Sequence, residues 1–176
     1  VGLANGKIFP IDRDSSNWHY IDTITPAAID SYNKYGIFPS ITIAQAILES
    51  GWGKSELSVE ANNFFGIKAD QNWHGECVSM NTMEDFNRKT VANFRKYNSF
   101  NDSIADHGAF LYSNKRYLNN GMFNTAYYAE QAEALEKAGY STKRDQNGTL
   151  IYADQLIEII RQYNLQVIDY DAEDGL

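Results

Sequence analysis

The hydrophobic period of this chain changes once, and that change restricts the fold more than any other feature of the sequence. Between Trp73 and Tyr97 the pattern has period two: Val78, Met80 and Thr82 share one face of a first arm, and Val91, Asn93, Arg95 and Tyr97 oppose Ala92, Phe94 and Lys96 on a second. Such alternation predicts a two-stranded hairpin, with Glu84-Asp85-Phe86-Asn87-Arg88-Lys89 as a polar, mobile connection. On either side the period is helical. Thr25-Pro26 and Gly36 bracket a short helix, Ser40 is placed to cap a second with the stripe Ile41, Ala44, Leu48, and Ser55 opens a short third. Helices resume near Asp102 or Ser103 with Ile104, His107, Gly108 and Leu111 in line, and continue from Tyr127 to Ala138, where Gly139 is the stop. The run Tyr152, Leu156, Ile159, Ile160, Tyr163 describes the last amphipathic helix. Strands segregated from helices in this way predict an α+β fold, mainly α, in which the hairpin forms one wall of a cleft.

No repeat, low-complexity tract or Pro-rich hinge interrupts residues 20 to 165, and 176 residues suit one core. We expect an N-terminal extension over 1–20, a single catalytic domain over 21–166, and an acidic tail or linker over 167–176. The chain opens at Val1 without an initiator Met or a basic and apolar leader, so it reads as a domain excised from a longer protein. A net charge of -8 without clustered Lys and Arg argues against nucleic acid as a partner. No apolar run approaches the roughly 18 residues of a spanning helix, so no membrane insertion is expected. The single Cys77 excludes an intrachain disulfide.

Glu49 stands out on chemical grounds. It follows the apolar pair Ile47-Leu48, shares a helix face with Gln45, and precedes Gly51-Trp52-Gly53, which must end the helix. The negative end of the helix dipole and nearby Trp52, Phe64 or Phe65 would favour its protonated form, which can donate to a leaving oxygen. Spacing alone favours an ordinary solvated helix-end carboxylate over a catalytic acid. A glycosidase normally needs a second carboxylate across the cleft, and Glu84 and Asp85 are the nearest candidates. His19, His74 and His107 lack metal-ligand spacing, and HExxH, P-loop, GxSxG and GxGxxG patterns are absent, so neither metal nor cofactor is expected. His107 reads as a satisfied structural histidine, and Cys77 as packing.

The ordered motifs Gln45-Ala-Ile-Leu-Glu49-Ser-Gly-Trp52-Gly, Asn62-Asn63-Phe-Phe-Gly66-Ile-Lys68, Trp73-His-Gly75, Phe94-Arg95-Lys-Tyr97, Ser103-Ile-Ala-Asp106-His107 and Ala138-Gly139-Tyr140-Ser-Thr142 cover roughly residues 25 to 165. Together they resemble the peptidoglycan N-acetylglucosaminidases of glycoside hydrolase family 73, which include bacterial autolysins and flagellar-assembly muralytic domains. The resemblance implies a lysozyme-like fold, a helical lobe and a small β-hairpin lobe flanking a glycan groove. It also implies a secreted, wall-acting endo-β-N-acetylglucosaminidase that cleaves the bond from N-acetylglucosamine to N-acetylmuramic acid, with Glu49 as general acid. Thr82-Met83-Glu84 matches the family's Thr-x-Glu stretch, which ranks Glu84 above Asp85 as second carboxylate, although the Asn-Gly that follows in the family is absent here. The family's Gly-Tyr-Ala-Thr signature is present as Gly139-Tyr140-Ser141-Thr142, which assigns Tyr140 to the catalytic centre. Trp52, Phe64, Phe65, Trp73 and Tyr97 are then candidate sugar platforms, with Trp52 and Phe64 read as core packing before ligand contact and Trp73 as exposed and ligand-facing, and Gln45, Asn63 and Lys68 are candidate hydrogen-bonding partners of acetamido or peptide groups. The partner expected is the peptidoglycan glycan strand, met by a monomer that depends on separate wall-binding modules. A muramidase or lytic transglycosylase of the same fold, and a catalytically silent wall-binding module, are the rival readings.

Overall fold

The computed structural model describes residues 2–4, 7–9, 15–84 and 88–175, with the backbone alone at 2–4, 7–9, 83, 84 and 88. A short antiparallel pair, β1 (Gly2–Ala4) and β2 (Lys7–Phe9), precedes the first helix. That helix, α1 (Ser16–Tyr35), begins well before the Thr25 start that the sequence predicts, inside the stretch expected as an extension. Ser15 Oγ accepts from Trp18 N and caps it, and Pro26 lies in its interior. A proline there forfeits a backbone hydrogen bond, and burial of Trp18, Ile21, Ile24 and Ala28 offsets the loss.

The second helix, α2 (Pro39–Ser50), starts at a proline whose fixed φ suits a first helical position, so Ser40 lies inside the helix and does not cap it. Acceptors for that end come from 129 residues away: Asp169 Oδ1 accepts from Ser40 N at 2.8 Å and Oδ2 from Ser40 Oγ at 2.5 Å. Every residue from Pro39 to Ile47 is buried. The one-sided stripe expected of Ile41, Ala44 and Leu48 is therefore only part of a central helix that α1, α6, α7 and α8 enclose. With no charged side chain before Glu49, the segment can lie on the molecular axis.

The short helix α3 (Glu56–Ala61) forms as expected, with Ser55 as its cap. The hairpin follows as β3 (Cys77–Glu84) and β4 (Arg88–Arg95), antiparallel from Cys77↔Arg95 to Glu84↔Arg88. Glu84, Arg88 and Lys89 thus belong to strands, not to a loop over 84–89; a backbone ladder needs no apolar side chains to continue. Asp85, the alternative second acid, lies outside the described residues. Backbone bonds from Ala69 N to Asn93 O and from Arg95 N to Ile67 O fasten the hairpin to the helical body.

Beyond it come α4 (Phe100–Ser113), the short α5 (Lys115–Asn119), α6 (Tyr128–Lys137), which Gly139 ends with φ 85°, and α7 (Tyr152–Tyr163). Where an acidic linker was expected, α8 (Gln166–Glu173) packs on α2. Leu165, Asp169 and Ala172 recur at helical spacing and are buried, while Asp171 and Asp174 face solvent. Among the described residues no helix is long and apolar enough to cross a membrane.

Candidate active site

Three consecutive residues decide where the central helix stops. Gly51, Trp52 and Gly53 all have positive φ, 56°, 63° and 73°, a region that glycine enters freely and tryptophan rarely does. Ser50 Oγ accepts from Gly53 N at 2.8 Å and so holds the turn, while Trp52 packs edge-on between Tyr20 and Tyr163, with ring centres 5.8 and 5.1 Å away. Trp52 therefore braces the helix end from behind and does not serve the groove as a sugar platform. The same stop leaves Glu49 in the last turn of α2 as the first residue of the helix to emerge into solvent.

Glu49 emerges into a groove of about 630 Å³ that Phe65, Lys68, Asp70, Arg116 and Tyr140 also line. A second recess, about 560 Å³, shares Asp70 and Phe110 with it, and a third, about 650 Å³, shares Asp106 and Ala109 with the second. The recesses adjoin in series along α4, and the third carries Trp73 and Tyr97.

The Glu49 carboxyl is shifted above the usual carboxylate range, chiefly because the surrounding protein displaces water from it; a hydrogen bond from Tyr152 and the charge of Lys143 work in the opposite direction. Tyr152 Oη donates to Glu49 Oε1 at 3.1 Å and accepts from Gln45 Nε2 at 2.9 Å. Gln45 Oε1 in turn meets His107 Nε2 at 2.8 Å. Burial lowers His107 to about 3, so the ring is neutral, and because an amide oxygen only accepts, Nε2 carries the proton. The chain His107→Gln45→Tyr152→Glu49 thus donates in one direction throughout and ends on one carboxylate oxygen, which leaves the other to carry a proton. His107 Nδ1 has no partner among the described residues, so this histidine is only half satisfied, with Phe65 stacked on its ring at 3.8 Å.

The expected contact residues separate accordingly. Gln45 is fully buried and is a link behind Glu49 instead of a sugar ligand. Asn63 is likewise buried: its Nδ2 donates to Ile67 O and Arg95 O, and its Oδ1 accepts from Phe65, Gly66 and Ile67 N. With those bonds it shapes the loop that brings Phe65 and Lys68 to the groove. Tyr140 lines the groove and stacks on Tyr152, with ring centres 5.4 Å apart; burial first, and then the Glu49 charge, raise its pKa well above the ordinary value, so it remains a phenol. Tyr97 is buried and donates to Asp106 Oδ2. Trp73 leans edge-on against Tyr97 with Arg95 4.9 Å from its ring centre. The backbone of Glu84 closes the far end of β3.

Spacing did not reveal Tyr152, Lys143 or Arg116. Tyr152 looked like the first core residue of a helix, and its tie to Glu49 spans 103 positions. Among the described residues no three His, Cys, Asp or Glu side chains are grouped to hold a metal.

Residues 25–165 match the model of the glucosaminidase family, described as mannosyl-glycoprotein endo-beta-N-acetylglucosaminidase. The chain is 39% identical over 156 residues to the exo-glucosaminidase LytG of Bacillus subtilis, an alignment that takes in 85% of this chain and 52% of that protein. Among solved structures, the catalytic domain of the autolysin Auto from Listeria monocytogenes superposes with a TM-score of 0.72 at 30% identity, covering 93% of this chain and 90% of that one. The glycoside hydrolase domain of FlgJ from Salmonella typhimurium superposes at 0.66 and 30% identity, covering 91% and 99%. The chain spans about half the length of the curated relatives it matches. The helical body with its small two-stranded lobe agrees with these likenesses, and the chain belongs to the glucosaminidase family of glycoside hydrolases.

Proposed function

We propose that this chain is an endo-β-N-acetylglucosaminidase that hydrolyses the bond from N-acetylglucosamine to N-acetylmuramic acid in bacterial peptidoglycan, with Glu49 as its general acid. The observation that carries the reading is the state of Glu49: it is open to the groove, raised in pKa, and held at one oxygen by a donor chain, so that the other is free to deliver a proton. Glu49 protonates the glycosidic oxygen as positive charge develops on the sugar. Tyr140 flanks the reacting centre, Phe65 and Lys68 form the near wall, and Trp73 offers a platform further along the cleft. Two routes complete the reaction, and Glu84 is the second carboxylate of the first. Either Glu84 activates water with inversion, at a carboxyl separation of about 6.5 to 9.5 Å, or the substrate's acetamido carbonyl attacks with retention; proton NMR of the first-formed anomer separates the routes. The chain works at the bacterial wall as a monomer, anchored by modules outside this sequence, and neither reaction route requires a metal or cofactor.

The test is digestion of purified peptidoglycan followed by borohydride reduction and mass spectrometry. Glucosaminitol ends are expected. Muramitol or anhydromuramic ends would assign the chain to the muramidase or transglycosylase reading, and no release at all by the folded protein would make it a silent binding module.

The pH profile follows from the Glu49 surroundings. Activity needs the protonated acid, so it falls as pH rises through a pKa that lies above the ordinary carboxylate range. Lys143 holds that value down. Lys143→Gln is therefore expected to move the alkaline limb of kcat/KM to higher pH, and Tyr152→Phe, which removes the donor to Oε1, to move it the same way. A limb that moves down in both variants would show that Glu49 is not the titrating group.

A further inference from the structure

On a chain of net charge -8, an arginine that lines the reaction groove without an acidic partner calls for a ligand. Arg116, exposed on α5, is such a residue. Its Nη2 donates to Tyr117 Oη at 3.0 Å, and its guanidinium carbon lies 5.0 Å from the centre of the Tyr117 ring. On another side it rests over Gly139, where an added Cβ would come within 3.9 Å of Nη1. The guanidinium is thus oriented on an aromatic face, yet among the described residues it forms no ion pair. Arg95 is the contrasting case, paired with Asp106 at 2.9 Å and Asp70 at 3.4 Å.

A ladder of rings fixes where Arg116 stands relative to the chemistry. Tyr117 packs on Tyr140 with ring centres 6.3 Å apart, Tyr140 stacks on Tyr152, and Tyr152 bonds Glu49. Arg116 therefore caps the far side of the ladder that ends on the acid, while lining the same groove as Glu49. Exposed Lys143 adds positive charge at the Glu49 end.

We propose that Arg116, with Lys143 adding positive charge at the Glu49 end of the groove, forms a subsite for a carboxylate of the substrate, one carried by the peptide on the muramoyl unit next to the cleaved bond. The proposal rests on the reading of the groove as a glycan site. N-acetylated sugars are neutral, so an anion this near the scissile bond has to come from a substituent, and the peptide is attached to one of the two sugars involved. The planar guanidinium fork matches a carboxylate with two parallel hydrogen bonds, and its seat on Tyr117 reduces the rotamer freedom lost on binding.

The test uses the catalytically disabled Glu49→Gln protein and isothermal titration with two ligands, a disaccharide-peptide with free carboxylates and the same molecule with its carboxylates amidated. Adding Arg116→Gln is expected to weaken the free-carboxylate ligand about tenfold, the scale of one charge-assisted contact, and to leave the amidated one unchanged. Arg116→Lys should recover part of the loss, since charge returns without the fork. Thermal melts of the variants keep folding defects apart from binding defects. Equal weakening of both ligands, or of neither, overturns the subsite. If glycerol phosphate displaces both ligands and amidation makes no difference, the anion is a wall phosphate and the carboxylate proposal falls. If neither ligand binds while Arg116 is intact, the glycan reading of the groove fails, and the subsite with it.

Discussion

Glu49→Gln is expected to leave a folded protein that releases soluble muropeptides from peptidoglycan at least about 10³-fold more slowly, within the range that general acid catalysis supplies. The substitution keeps shape and one acceptor, so Tyr152 Oη can still donate to the Oε1 position, and the site is open enough that stability should change by no more than about 0.5 kcal/mol. What is lost is the proton. An amide cannot deliver one to a glycosidic oxygen at any pH, so the alkaline limb of the profile should vanish with the rate instead of moving, in contrast to Lys143→Gln and Tyr152→Phe. Undiminished release by a folded Glu49→Gln protein would refute Glu49 as the acid. Glu84→Gln then separates the two routes: loss on the same scale supports activation of water by Glu84, and near-normal turnover supports attack by the acetamido group.

Much of this site was legible because its signals are local. The end of α2 follows from Gly51 and Gly53, that of α6 from Gly139, and the hairpin from a period of two, so the position of Glu49 at a helix terminus beside a β-lobe could be read from neighbours in sequence. The direction of a polar side chain could not. Gln45 and Glu49 do share a helix face as their spacing implies, but α2 is buried along its length and only its last turn emerges, so the same face is interior at Gln45 and groove at Glu49. Asn63 looked like a ligand for an acetamido group because an amide in a turn can bind either a substrate or the backbone; here five backbone groups take it up. Trp52 could be read either as a platform or, more readily, as core, and its left-handed backbone turns it against Tyr20 and Tyr163. Tyr152 and Asp169 lie 103 and 129 positions from the groups they bind, and no local period or cap announces such partners. The acidic composition of residues 169–174 concealed α8 because one of those acids, Asp169, points inward.

That inward acid gives the second large effect. Asp169 supplies the acceptors that the N-terminus of α2 lacks, from a helix beyond the 25–165 span of the family match. Asp169→Ala is expected to destabilise the protein by about 1 to 3 kcal/mol, the penalty for leaving a buried donor such as Ser40 N without an acceptor, read as a lower midpoint in urea at unchanged slope. Asp169→Asn is the informative companion. Burial raises the Asp169 pKa from 3.8 to about 7, with the Glu173 charge adding to the rise and both Ser40 bonds opposing it. Between those values the folded protein holds a proton that the unfolded chain has released, so stability declines as pH rises across that window, and above about 7 the full penalty of a buried charge applies. The asparagine variant has no such proton. Its stability relative to the native protein should therefore improve from pH 4 to about pH 7 and then level off, while the alanine variant, which also lacks the proton, should follow the same trend displaced downward by the hydrogen bonds it has lost. A native-minus-asparagine difference that is flat with pH would mean that Asp169 keeps an ordinary pKa in the fold. Undiminished stability of Asp169→Ala would mean that α2 needs no cap from α8, and that the helix carrying Glu49 is held by its apolar faces alone.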